Sequence, residues 1–252
     1  LSNHKSVLTE MRRAVPPSRN GLSHANKSRN SDMAEALFWQ VFEHLQGIYP
    51  EFGVGKKYKA FPKRFKRVIH VLDSSTIQLV SNCIDWAKHR RRKAAAKLHL
   101  RLNLASFLPG FVLVKEASTH DSTEARMLCR DIKPGEITLF DKAYVDFKHL
   151  YELDQNDIFW VTRSKDNMAY DVIKTKRSKV PTILKDEFIR LTVSQSKQDY
   201  PKVMRLVTAR VEVDGEIKTM TFLSNNLEWA ASSICDLCKA RWAIEVFFKQ
   251  LK

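Results

Sequence analysis

Two short apolar runs, residues 68–73 and 136–141, each end in an aspartate, and the segments around them restrict the folds open to this chain. The first reads Val-Ile-His-Val-Leu-Asp73 and the second Glu-Ile-Thr-Leu-Phe-Asp141, with the length and β-branched content of buried strands. Between them, residues 97–104 alternate strictly, with Leu98, Leu100, Leu102 and Leu104 on one face, which predicts a half-exposed strand. Pro109-Gly110 predicts the turn into a third strand over 111–114. Residues 121–130 and 146–153 carry helical patterns, and residues 158–162 read as a fifth strand. The order is β-β-β-α-β-α-β, an antiparallel meander followed by crossover units, which predicts an α/β protein with a mixed sheet.

The flanking regions differ in texture. Residues 1–65 are polar, basic and mostly helical in pattern. Residues 18–26 read as a turn leading into a helix, and Ala34, Leu37, Phe38, Val41, Phe42 and Leu45 then recur at helical spacing, a face that either touches DNA or packs on the core. Residues 56–67 interleave Lys and Arg with Tyr58, Phe61 and Phe65, which suits either a solvated face or phosphate contacts. Residues 165–228 alternate β-branched segments with polar turns and predict a β-rich insertion. Residues 229–252 form a terminal helix, with Ser233 and Asp236 as a capping-box-like start.

Lys and Arg exceed Asp and Glu by 43 to 28, a net charge of +15, which favours a polyanionic partner such as nucleic acid. The longest apolar stretch, around residues 102–114, is interrupted by Asn103, Ser106, Pro109 and Gly110, so no membrane span is expected. Four cysteines without a secretory leader point to a reducing cytoplasm. The single Cys235/Cys238 pair has no second pair at ligand spacing and reads as two small helical residues. The chain begins at Leu1 and stops at Lys252 within a helical pattern, which suggests a fragment of something longer.

Asp73 and Asp141 would lie side by side if their strands were neighbours, and a carboxylate on an apolar strand is costly unless paired or metal-bound. Three carboxylates near one point suit two hard cations sharing a bridging ligand. In the terminal helix Arg241 and Glu245 are four apart, about 40° round the axis, and Glu245 and Lys252 are seven apart, about 20° short of two turns. The three form one polar stripe, with Ile244, Phe247 and Leu251 left for the core. A solvated ion-pair stripe has the same spacing.

The segment RWAIEVFFKQLK resembles the carboxy-terminal signature of bacterial insertion-sequence transposases of the insertion-sequence-four family, Y-x2-R-x3-E-x6-K, with Arg241, Glu245 and Lys252 in the last three places and Cys238 where the family has Tyr. VLDSSTIQL around Asp73 and LFDKAYVDF around Asp141 resemble the two Asp motifs of that family. The resemblance covers residues 66–252, and residues 7–48 resemble the helical region often found upstream. It implies a ribonuclease-H-like catalytic domain, its first part at 66–164, with the β-rich insertion ahead of the Glu-bearing helix. Asp73, Asp141 and Glu245 would bind two Mg²⁺ ions, with Mn²⁺ able to substitute. Arg241, Lys252, Trp242, Lys142 and Arg163 are the expected DNA contacts. The implied activity is cleavage of transposon-end DNA and strand transfer into target DNA by a homodimer in the bacterial cytoplasm, associated with the nucleoid. A nuclease of the same fold without strand transfer and an inactive DNA-binding remnant are the alternatives.

Overall fold

The structure, a computed structural model, describes residues 9–10, 18–49, 65–79, 88–89, 93–116, 121–213 and 215–251. The chain divides into two compact units, Leu1–Phe52 and Gly53–Lys252. In the first, helix α1 spans Arg19–Ser28, capped by the Ser18 hydroxyl, which accepts from the Gly21 N–H at 3.0 Å. The segment expected as a turn leading into a helix is thus helical from Arg19 onward. Helix α2, Asp32–Ile48, carries the predicted apolar face, but none of its residues is buried.

The second unit is built on one ten-stranded sheet in the order β2-β3-β1-β5-β6-β10-β9-β8-β7, with β4 also on β3. Its strands are β1 (Ile69–Leu79), β2 (Lys88–His89), β3 (Lys93–Asn103), β4 (Leu108–Glu116), β5 (Ile137–Phe140), β6 (Phe159–Arg163), β7 (Tyr170–Thr175), β8 (Ile183–Leu191), β9 (Met204–Val213) and β10 (Glu216–Ser224). Helices α3 (Asp121–Leu128) and α4 (Phe147–Gln155) sit in the crossovers, α5 (Ser194–Asp199) precedes β9, and α6 (Ala231–Arg241) and α7 (Ala243–Leu251) follow the last strand. Pairs β1–β5 and β5–β6 are parallel and the rest antiparallel.

Both faces of the sheet are covered, which is why its central strands read as continuous apolar runs rather than alternating ones. Ile69, Val71, Ile137 and Leu139 pack with Ile234, Leu237 and Ile244 of α6 and α7. Leu72 and Phe140, of opposite parity, pack with Leu128, Leu150 and Leu153 of α3 and α4. No described helix is long and apolar enough to cross a membrane.

Several sequence expectations are corrected. β3 is not half-exposed: His99 and Arg101, on the face opposite the leucines, are 0% and 6% exposed, and Arg101 Nη1 donates to the Leu128 carbonyl at 2.9 Å. The meander turns at residues 104–107, with Phe107 at φ 59°, while Pro109 and Gly110 lie within β4. The expected β-rich segment, β7 to β10, is not overturned but joins the main sheet, because β10 pairs antiparallel with β6 through Phe222↔Arg163 to Ser224↔Val161. A buried fork secures it: Arg205 Nε and Nη2 each donate to Asp186 at 2.8 Å, and Nη1 donates to the carbonyls of Leu227 and Trp229. Ser233 and Asp236 lie inside α6, whose cap position is Ala230. The terminal helix is two helices, interrupted at Trp242, whose N–H turns back to the Lys239 carbonyl at 3.2 Å.

Candidate active site

β1 carries the first aspartate, but it does not end there. Its parallel ladder with β5 stops at Leu72↔Phe140, while its antiparallel ladder with β3 runs on from Asp73↔Leu100 to Leu79↔Ala94. Asp73 and Asp141 are each the next residue after that last parallel pair, so they stand beside each other where the parallel pairing of β1 and β5 ends. That end of an open α/β sheet is where ligand crevices form. Each carboxylate is oriented by the backbone after it: Asp73 Oδ1 accepts from the Ser74 N–H at 2.8 Å, and Asp141 Oδ1 from the Lys142 N–H at 2.7 Å. The latter caps a 3₁₀ turn over Lys142–Tyr144.

The α6–α7 junction supplies the third carboxylate. Arg241 ends α6 and Glu245 lies in the first turn of α7. Arg241 Nη1 lies 3.1 Å from Asp73 Oδ2, and its Nη2 lies 3.1 Å from Glu245 Oε1, so one guanidinium spans the two acids. Asp73, Asp141 and Glu245 line one cleft, together with Ser74, Ser75, Arg241, Phe248 and Lys249. Burial pushes the Asp73 carboxyl up to about 6, against the pull of Arg241 and the Ser74 N–H; Asp141 and Glu245 add to the rise. Burial, more than the neighbouring carboxylates, makes the charged form of Asp73 unfavourable here.

Among the described residues no three His, Cys, Asp or Glu side chains converge closely enough to enclose a cation, and the Arg241 fork lies between Asp73 and Glu245. The donor chemistry nevertheless fits a hard divalent ion, because all three groups are carboxylates and one is buried with an unfavourable charge. The Glu245 side chain is 47% exposed, which leaves it room to turn toward an ion.

Of the other expected residues, Arg163 Nη1 lies 3.9 Å from Asp141 Oδ1. Lys142 Nζ donates to Asp166 at 3.0 Å on the surface. Trp242 is half-buried and packs against the core, and with Cys238, Arg163 and Arg241 it lines a neighbouring pocket. Lys252 lies outside the described residues, as do residues 56–64 of the basic run. Of that run, Arg67 is described: its Nη1 donates to the Gly135 carbonyl at 2.7 Å and its guanidinium covers the Phe159 ring. Lys249 was missed from sequence, although its place one helical turn beyond Glu245 could have flagged it.

The fold and cleft define the chain as a mixed-sheet α/β protein with three carboxylates on one cleft, two of them where the parallel β1–β5 pairing ends. Residues 64–252 match the family described as Transposase DDE domain, and the chain belongs to that family. An alignment of 243 residues gives 30% identity to y4zB of Sinorhizobium fredii, a protein inferred to be a transposase, covering 94% of this chain and 63% of that protein. Another gives 27% identity over 247 residues to the inferred transposase of insertion sequence element IS5377 from Geobacillus stearothermophilus, covering 85% of this chain and 63% of that one. The chain thus spans less than two thirds of the length of these relatives. Among solved structures, a piggyBac transposase synaptic complex with hairpin DNA aligns with 72% of this chain and 40% of its own, at 10% identity and a TM-score of 0.44.

Proposed function

We propose that this chain is the catalytic part of a bacterial insertion-sequence transposase that cleaves transposon-end DNA and transfers the ends into target DNA. The observation that carries the reading is that Asp73 and Asp141 stand beside each other where the β1–β5 pairing ends, with Glu245 on the same cleft. The ribonuclease-H-like assignment is supported by the sheet order, in which the meander strands β4, β3 and β1 continue in parallel into β5 and β6. The insertion-sequence-four subgroup is favoured by Arg241 and Glu245, which occupy the Arg and Glu places of its signature and are paired in the cleft.

Asp73, Asp141 and Glu245 would hold two Mg²⁺ ions, with Mn²⁺ as a substitute. When bound, such ions activate the attacking water or 3′-hydroxyl and stabilise the leaving oxygen. The remaining work falls to the chain's own residues. Arg241 offsets the charge of Asp73 and Glu245, and its planar fork suits a phosphodiester equally well. Lys249 faces the same cleft and adds a second cation toward the DNA backbone. Arg163 and Lys142 extend the positive rim past Asp141; the exposed Lys142–Asp166 pair is weak enough for phosphate to replace Asp166. Trp242, packed against the core and lining the neighbouring pocket, is not a stacking platform in this reading. Transposon ends must be cut together, so a homodimer is part of the proposal.

The test is incubation of the protein with DNA carrying the element's terminal inverted repeats in Mg²⁺ or Mn²⁺. Cleavage and joined products, both abolished by Asp141→Asn or Glu245→Gln in folded protein, are expected. Cleavage without joining would reduce the proposal to a nuclease. Binding without cleavage by the full-length protein would reduce it to a DNA-binding remnant.

A further inference from the structure

Beneath the cleft floor lies a polar cluster that the proposed chemistry does not use. Ser74, directly after Asp73, has two roles: its N–H orients the Asp73 carboxylate, and its hydroxyl donates to Asp121 Oδ1 at 2.6 Å. Asp121 opens α3, forty-seven residues further along the chain. The same Oδ1 lies 2.9 Å from Lys97 Nζ and 3.5 Å from His99 Nδ1, both on β3. His99 Nδ1 in turn lies 3.5 Å from the Tyr144 hydroxyl, in the 3₁₀ turn that Asp141 caps. His99 and Tyr144 are 0% and 1% exposed, and the Asp121 side chain is 16% exposed, so little water competes for these partners.

We propose that Asp121 is a positioning residue for the carboxylate cleft: through Ser74 on one side, and through His99 and Tyr144 on the other, it ties the backbone following Asp73 to the turn following Asp141. The inference rests on the two-ion reading above. Asp73 and Asp141 sit on different strands, and their mutual repulsion favours spreading. The strand ladder fixes their backbones as far as Leu72 and Phe140 only. Beyond that pair the two chains diverge, one staying in β1 and the other entering the 3₁₀ turn, and the Asp121 cluster spans the divergence. Lys97 Nζ, 2.9 Å from Asp121 Oδ1, anchors the same carboxylate from β3.

Groups that orient ligands from behind typically change metal affinity by about 10–100-fold when removed. The experiment measures Mn²⁺ binding by electron paramagnetic resonance, with no DNA present, for wild type, Asp121→Asn, Ser74→Ala, the double variant and Asp73→Asn. Thermal melting without metal reports the fold of each. Asp121→Asn and Ser74→Ala should each weaken Mn²⁺ binding by about tenfold. The double variant should be no worse than the poorer single one, because both break one link. Wild-type affinity in folded Asp121→Asn and Ser74→Ala overturns the inference alone, as do additive losses in the double variant. Should Asp121→Asn fail to fold, Ser74→Ala, which loses only a hydroxyl, decides the matter. A wild type that binds no Mn²⁺, indistinguishable from Asp73→Asn, overturns the two-ion reading and this inference with it.

Discussion

Replacing Asp73 with Asn should stabilise the metal-free protein, and increasingly so as pH rises. Asp73 holds its proton to about pH 6 in the fold, against an ordinary value of 3.8. A folded value raised above the unfolded one means that the native state binds more protons between those limits. Stability is therefore lost as pH climbs from about 4 to about 6, and the loss is complete above that window. A shift of that size corresponds to about 3 kcal/mol, since each pH unit is worth about 1.4 kcal/mol. The Asp73 side chain is 19% exposed, so solvent screening leaves most of this in place. Asparagine approximates the protonated acid: it keeps an oxygen for the Ser74 N–H and carries no charge. Urea unfolding of both proteins in EDTA, from pH 4 to pH 7.5, should give equal stabilities at the acid end and a difference approaching about 3 kcal/mol at the other, or roughly 6–12 °C in melting temperature. Excess Mg²⁺ should then stabilise wild type and not the variant. A difference that does not change with pH, or a variant less stable than wild type at pH 7.5, would refute the claim that burial dominates the Asp73 environment.

The remaining predictions concern the sheet extension, a strained turn and the DNA rim. Asp186→Ala should cost about 3–5 kcal/mol in urea unfolding, because it strands the Arg205 guanidinium, 2% exposed, without its carboxylate; a loss under about 1 kcal/mol would mean that the fork is not needed. Gly135→Ala should lower the melting temperature, since Gly135 sits at φ +84° and a Cβ there would meet Arg67 Nη1 at 2.8 Å; an unchanged melt would show that the turn relaxes freely. Lys249→Ala should weaken DNA binding across sequences and lower the salt slope of the binding constant by about one, read by fluorescence anisotropy at several salt concentrations. An unchanged slope would remove Lys249 from the DNA path.

Much of the site was legible because its signals are local. A run of apolar residues closed by Asp is visible at 68–73 and again at 136–141, and the Arg241–Glu245 spacing on a helix is a matter of rotation per residue. That spacing survived the interruption at Trp242, since the two side chains still pair at 3.1 Å. Other features depended on partners distant in sequence. His99 and Arg101 look solvent-facing in an alternating strand, and only the cover from α3 and β4 buries them. The segment after residue 164 has the turns and strands of a β-rich insertion, and only the β10–β6 ladder shows how it joins the main sheet. Nothing near Asp121 announces a link to Ser74.

By itself the sequence determined which segments become central strands, which aspartates follow their apolar runs, and the four-residue spacing of Arg241 and Glu245, because all three are local along the chain. Tertiary structure alone decided where the β1–β5 pairing stops, what Arg241 bridges, and which buried groups stand behind Asp73. Those depend on register and on contacts between residues as far apart as Asp73 and Arg241, and no local pattern encodes a distance of that kind.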